Sequence, residues 1–198
     1  MTRGSRAWIG LAILLGACAL TGWALPREAI DWQPALAARE PWRAASAVGV
    51  HYSLQHLVAN LAGAALAGAF GAVAQVPVRL AWAWLAAWPL TQLGLLARPD
   101  LAHYGGLSGV LHAGVAAVVV FLLATGTRAQ RWLAGAVLLG LCVKIASESP
   151  WGAALRHPAG WDIAVAPFAH ASGALAGALC AIIALCLPRP ASPSNEHD

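Results

Sequence analysis

The sequence predicts an all-α membrane protein built from six transmembrane helices. Two observations carry this. Hydrophobic residues make up 60% of the chain and charged residues only 10%, against ~25% charged in an ordinary globular protein. The apolar residues also fall into six separate runs of spanning length, which for a helix is ~20 residues with a usable range of ~17–25. The 198 residues suit one domain, expected over residues 1–187. The Pro/Ser-rich polar tail over 188–198 is expected to be disordered and cytoplasmic.

Each span has its own justification. The first, Trp8 to Leu25, carries no charge. The basic "TRGSR" before it also fits a signal peptide, but Pro26-Arg27-Glu28 makes a poor small-residue cleavage site, so a retained helix is expected. The long loop from Pro26 to Gly49 holds Trp32, Leu36 and Trp42 among charges and is expected to lie in the membrane interface as a partly helical element. The second span begins near His51 and ends before Pro77. The third, Leu80 to Ala97, is short and rich in Trp. The fourth runs from about Leu107 to Thr125, the fifth from Trp132 to about Ser147 with Lys144 inside it, and the sixth from Ile163 to Leu187. Most of the ten Trp lie near segment ends, as interfacial anchors do.

The net charge of +4 does not point to nucleic acid. Basic residues pair only as Arg3/Arg6, Arg39/Arg43 and Arg128/Arg131, each beside an apolar stretch. That is the pattern of anchors at a lipid bilayer, not of a phosphate-binding stripe. With six spans both termini share a side. Arg3, Arg6, Arg79, Arg128, Arg131 and Arg189 fall there, and Arg27, Arg39, Arg43, Arg98 and Arg156 on the other, with most of the acids. The Lys/Arg count is only slightly biased and the acids add minor support, and on that basis both termini are expected in the cytoplasm. Cys18, Cys142, Cys180 and Cys186 sit in apolar runs without C-x-x-C or zinc-site spacing and read as small hydrophobes. No metal and no cofactor is expected.

Polar residues at membrane depth need a partner or a role to offset their burial. His56 and Asn60 lie four apart on one helical face, continued by Gly63 and Ala67. His170, Gly173 and Gly177 share a face of the sixth span to within ~60°. Gly173-x-x-x-Gly177 is a close-packing motif. Ser108 stands at the mouth of the fourth helix, with Gly105 and Gly106 permitting a bend before it and Gly109 expected to leave space beside its hydroxyl.

Together these residues supply the parts of a serine nucleophile. Ser108 needs a base within hydrogen-bond reach, which His170 provides if helices four and six pack closely. The developing anion needs donors, available from the Ser108 N–H at a helix start, from His56 and from Asn60. No carboxylate is expected near enough to complete a triad, because Asp162 stands ~12 Å along a helix from His170. The expectation is therefore a Ser–His dyad. Each residue also has a plainer use: Ser108 as an N-cap, and His56, Asn60 and His170 as bonds between helices.

These residues resemble the rhomboid family of intramembrane serine proteases in three places. "HYSLQHLVAN" is similar to the second-helix motif, with His51, His56 and Asn60. "GLSG", Gly106 to Gly109, is similar to the nucleophile motif. "AHASGALAG", Ala169 to Gly177, is similar to the sixth-helix motif with the catalytic histidine and its glycines. The resemblance covers roughly residues 45 to 187. Within the family the chain looks most like the rhombosortases, whose nucleophile motif continues G-L-S-G-V-L-H as Gly106 to His112 does, and "VKIASE" (Val143 to Glu148) is similar to their fifth helix.

The resemblance implies a rhomboid-like bundle in a bacterial inner membrane, with Ser108 as nucleophile, His170 as general base, and His56 and Asn60 at the oxyanion. His51, Gly106, Gly109 and His112 would support the site. Many rhomboids carry an aromatic residue one turn after the serine, packed under the histidine. Here His112 stands there, either stacking likewise or competing for Ser108. Lys144 and Glu148 read as an i,i+4 ion pair. The implied activity is endoproteolysis of transmembrane protein substrates near the non-cytoplasmic side, on proteins with a C-terminal Gly-Gly sorting helix. Two rivals stand beside it: an inactive rhomboid-like binder of membrane segments, and a haem or metal protein using His56, His112 and His170.

Overall fold

The computed structural model describes residues 1–188, so all but the first residue of the tail expected over 188–198 lies outside the described residues. Helices dominate. α1 is Arg3–Gly22, α2 Arg27–Ile30, α3 Arg43–Ser46, α4 Leu54–Val73, α5 Val78–Leu93, α6 Ser108–Thr125, α7 Arg128–Ser147 and α8 Pro167–Cys186. Six helical stretches are long and apolar enough to cross a membrane: α1, α4, Val78–Ala97 (α5 with the 3-10 turn that extends it), α6, α7 and α8. The predicted fold class therefore stands: an all-α bundle with six candidate spans. Among the described residues the extended pairings are two isolated bridges, Trp32 with Tyr104 and Arg156 with Val165.

Some boundaries differ from expectation for local reasons. α4 starts at Leu54, not near His51, because the Ser53 side chain caps the His56 N–H. α7 starts a turn earlier than expected, where Thr127 and Gln130 form a reciprocal capping box. α8 starts at Pro167 rather than Ile163: proline suits the first turn of a helix, where its missing N–H costs no bond. The α helix of the third span ends at Leu93 and continues to Ala97 as a 3-10 turn.

Packing follows the small residues. α6 and α8 are the most intimate pair in the bundle. A Cβ on Gly173 would run into the Gly109 backbone, and one on Gly177 into the Ala113 backbone. A Cβ on Gly109 would in turn meet the Ala169 carbonyl and the Thr91 methyl, each at 2.8 Å. Gly109 thus makes room for helices α8 and α5, where space beside the serine hydroxyl was expected. α1 packs on α4 and α5. Its Trp8 stacks on Trp84 with centroids 4.4 Å apart, and its indole N–H donates to the Ala67 carbonyl at 2.9 Å.

The loop between α1 and α4 is partly helical as expected, but Trp32 is fully buried rather than interfacial. It anchors a second small core with Ala44, Ala47, Leu95, Leu101 and Tyr104. By chain order, the starts of α4, α6 and α8 and the end of α7 share one end of the bundle, capped by the three longest connections.

Candidate active site

Three helix ends deliver the candidate side chains to that capped end. Ser108 is the first residue of α6, and Leu107 precedes it as N-cap without a side-chain cap bond. The serine hydroxyl is therefore not spent on capping. It lies 2.9 Å from His170 Nε2. The Ser108 amide sits in the first turn, where backbone N–H groups have no intrahelical acceptor. Gly106, two residues earlier, has φ of +137°, a region that L-residues with side chains rarely enter. A side chain there would also press on the His56 ring at 3.0 Å.

His170 is buried near the start of α8. The His112 ring lies against it with centroids 4.3 Å apart and planes 14° apart. His112 Nδ1 bonds the Ser108 carbonyl at 2.7 Å, one turn back on its own helix, rather than the hydroxyl. Of the two uses expected for His112, the structure has the stack.

His56 and Asn60 share the predicted face but have different surroundings. His56 Nδ1 accepts from the Tyr52 N–H at 3.4 Å, which leaves Nε2 as the protonated nitrogen, on the side of the ring toward Gly106. Asn60 Nδ2 donates to His51 Nε2 at 3.0 Å. His51 in turn donates from Nδ1 to the Gly49 carbonyl at 3.2 Å. Both rings and the amide are buried. Asn60 is not part of the cavity wall, whereas His56 is.

That cavity, of about 400 Å³, opens beside Ser108. Tyr52, His56, His103, Tyr104 and Asp162 contribute polar groups to its lining, and Leu155 with Ile163 to Ala166 apolar ones. Tyr104 was not singled out from the sequence. Its hydroxyl lies 3.5 Å from the Gly106 carbonyl. Burial pushes its pKa up to about 12, against the opposing pull of the Ser108 hydroxyl and the Gly109 backbone, so it stays protonated. "HYGG" placed a tyrosine beside the motif, but nothing in the spacing said that it would turn inward.

One expectation fails. A carboxylate does reach His170: Glu148 Oε2 lies 2.6 Å from His170 Nδ1. Asp162, the acid nearest in sequence before α8, bonds instead to the Ser53 hydroxyl at 2.7 Å. The expected Lys144–Glu148 ion pair forms at 2.6 Å, on the other carboxylate oxygen. Lys144 Nζ is also 3.4 Å from His170 Nδ1. The two charged residues were recognised only as partners of each other, because their link to α8 joins residues 22 positions apart.

Compared with known proteins, residues 38–186 match the family model described as Rhomboid domain. No curated protein and no solved structure matches the chain. The matched span takes in the ends of α4, α6, α7 and α8 that build the cluster.

Proposed function

The chain belongs to the rhomboid family of intramembrane serine proteases, and from that premise we propose that it is an active serine endopeptidase, with Ser108 as nucleophile and His170 as general base. The observation that carries the proposal is the 2.9 Å approach of Ser108 Oγ to His170 Nε2 at the edge of a cavity large enough for a short unwound peptide. A nucleophile bonded to a base, with the base held by a third group, is the arrangement that activates a hydroxyl. Both ring nitrogens of His170 are engaged, one by Ser108 and one by Glu148, which suits a base.

In the proposed reaction Ser108 Oγ attacks the peptide carbonyl carbon as its proton passes to His170 Nε2. The carbonyl π electrons move to the oxygen, for which the Ser108 N–H and His56 Nε2–H would be the donors. Asn60 holds His51 and the helix face behind them. The C–N bond then breaks, and His170 returns the proton to the leaving amine. Water repeats the sequence on the acyl-enzyme. Removing one oxyanion donor in such sites costs ~10²–10³ in kcat.

Rhomboids act on transmembrane substrates within the bilayer. For this chain we propose proteins with a C-terminal Gly-Gly sorting helix, on the resemblance of Gly106 to His112 and Val143 to Glu148 to the rhombosortases. The membrane unit would span residues 1–187 of a bacterial inner-membrane protein with cytoplasmic termini.

The test is cleavage of a Gly-Gly-tailed substrate by wild type, Ser108→Ala and His170→Ala, with fluorophosphonate labelling in parallel. Loss of cleavage in both variants and labelling of Ser108 alone are expected. Full cleavage by both variants would overturn the proposal.

A further inference from the structure

We infer that Glu148 is the positioning residue of His170, completing a Ser108–His170–Glu148 relay whose carboxylate arrives from the end of α7. The inference rests on the peptidase reading of Ser108 and His170 and adds a third member to that pair.

The geometry assigns one partner to each carboxylate oxygen. Oε2 faces His170 Nδ1 at 2.6 Å, and Oε1 takes the Lys144 ammonium at 2.6 Å. The residue is also held through its backbone: Arg156 Nη1 donates to the Glu148 carbonyl at 2.7 Å. Ser149, immediately after, has φ of +51° and closes α7 by donating its N–H to Ala146. A left-handed residue without glycine costs energy and persists where surroundings over-determine it. An ion pair serving only to shield Lys144 would need one oxygen and no fixed terminus. Here a second oxygen is aimed at the buried histidine.

The chemical consequence concerns the tautomer. A carboxylate accepts and cannot donate, so at 2.6 Å it fixes the proton on His170 Nδ1. The Nε2 lone pair then faces the Ser108 hydroxyl. When Nε2 takes the serine proton, the imidazolium keeps its Nδ1–H bonded to Glu148, which stays ionised throughout. No proton passes to the carboxylate. Burial works against the Glu148 charge, but the bond to His170 and the Lys144 ammonium outweigh it and bring the pKa down to about 2.

His170 is faced from two elements. α7 and its C-cap supply Lys144 and Glu148, and α6 supplies Ser108 and the stacked His112. Asp162 contacts Ser53 instead. Among the described residues, Glu148 is the acid bonded to His170.

The experiment compares full-length wild type, Glu148→Gln, Glu148→Asp and Ser108→Ala in detergent. It follows fluorophosphonate labelling of Ser108, kcat and KM on a Gly-Gly-tailed substrate, and thermal melting. The glutamine is isosteric, but its amide N–H₂ can hold the reverse tautomer. Glu148→Gln is expected to lower kcat and the labelling rate by about 100-fold or more, with KM within about threefold, since carboxylate-to-amide changes in catalytic triads cost up to ~10⁴. Glu148→Asp, which keeps the charge, is expected to recover at least about tenfold of the loss. Labelling and kcat within about threefold of wild type in a folded Glu148→Gln protein would overturn the inference. So would a loss confined to KM or to the melting temperature. Failure of the underlying peptidase reading looks different: wild type itself would neither label nor cleave beyond Ser108→Ala.

Discussion

The imidazole of His112 lies flat against that of His170, centroids 4.3 Å apart and planes 14° apart. His112 hangs one turn below Ser108 and is tied by Nδ1 to the serine's own carbonyl. The stack therefore fixes the base relative to the backbone that carries the nucleophile. A stacked ring pair contributes ~0.5–1.5 kcal/mol beyond its buried area, and 1.4 kcal/mol is about tenfold in rate. His112→Phe keeps a ring in place and is expected to hold kcat/KM within about threefold. His112→Ala is expected to lose about tenfold. Equal activity in the two variants would show that the ring does not position His170.

Close approach of α6 and α8 is what brings Ser108 to His170, and it depends on glycine. A side chain on Gly177 would meet the Ala113 backbone, which cannot move aside as a flexible side-chain tip can. Overpacking of this kind costs ~1–3 kcal/mol or more. Gly177→Leu is expected to lower the melting temperature in detergent and to abolish cleavage. Gly135 on α7 has open space where its side chain would go. Gly135→Leu is expected to leave melting unchanged, within ~0.5 kcal/mol. A Gly177→Leu protein that melts like wild type would refute the packing argument.

This dependence also explains what was legible in the sequence. Ser108, His170 and the glycines beneath them announce themselves because helical periodicity is local: residues four apart share a face wherever the helix ends up. The six spans are legible for the same reason, as runs of apolar residues. The link from Glu148 to His170 is not local. Lys144 and Glu148 satisfy each other at i,i+4, so nothing in the sequence demanded a third partner. Trp32 was misplaced likewise. Its neighbours are charged, but those charges pair among themselves and let the indole turn into the core. Gly109 was assigned to the wrong neighbour because its sequence context is Ser108, while its spatial context is α8 and α5.

His51 predicts a pH dependence. It lies in the turn before α4, with Nδ1 donating to Gly49 and Nε2 accepting from Asn60. That arrangement needs the neutral ring. Burial lowers its pKa from 6.5, only partly opposed by the bond to Gly49. A base with a depressed folded-state pKa stabilises the fold fully above its unfolded value. Stability drains away as pH falls below about 6.5, because the unfolded chain then binds the proton more readily. Wild type is expected to melt at lower temperature at pH 5 than at pH 7.5. His51→Gln, which can still donate and accept but does not titrate, is expected to show a smaller drop. An identical drop in the two proteins would remove His51 as a source of acid sensitivity.

The tie between the first long loop and the site rests on a buried charge pair. Arg43 Nη1 donates to Asp31 Oδ1 at 3.1 Å, to the Asp31 carbonyl at 3.0 Å and to the Glu28 carbonyl at 2.9 Å. Asp31 Oδ2 meets His103 Nδ1 at 2.6 Å, and His103 lines the cavity beside Ser108. Arg43 and Asp31 are both buried, at 7% and 3% exposure, so solvent cannot compensate either charge if the other is removed. Breaking such a pair from one side costs ~3–5 kcal/mol, while replacing both members by apolar residues is often close to neutral. Arg43→Ala is therefore expected to destabilise the protein by about 3 kcal/mol or more and to loosen the cavity wall through His103. The double variant Asp31→Leu/Arg43→Met is expected to regain most of that loss. Melting in detergent reads both outcomes. An Arg43→Ala protein within about 1 kcal/mol of wild type would mean that Asp31 is adequately held by His103 and Gln33, whose amide donates to it at 2.8 Å.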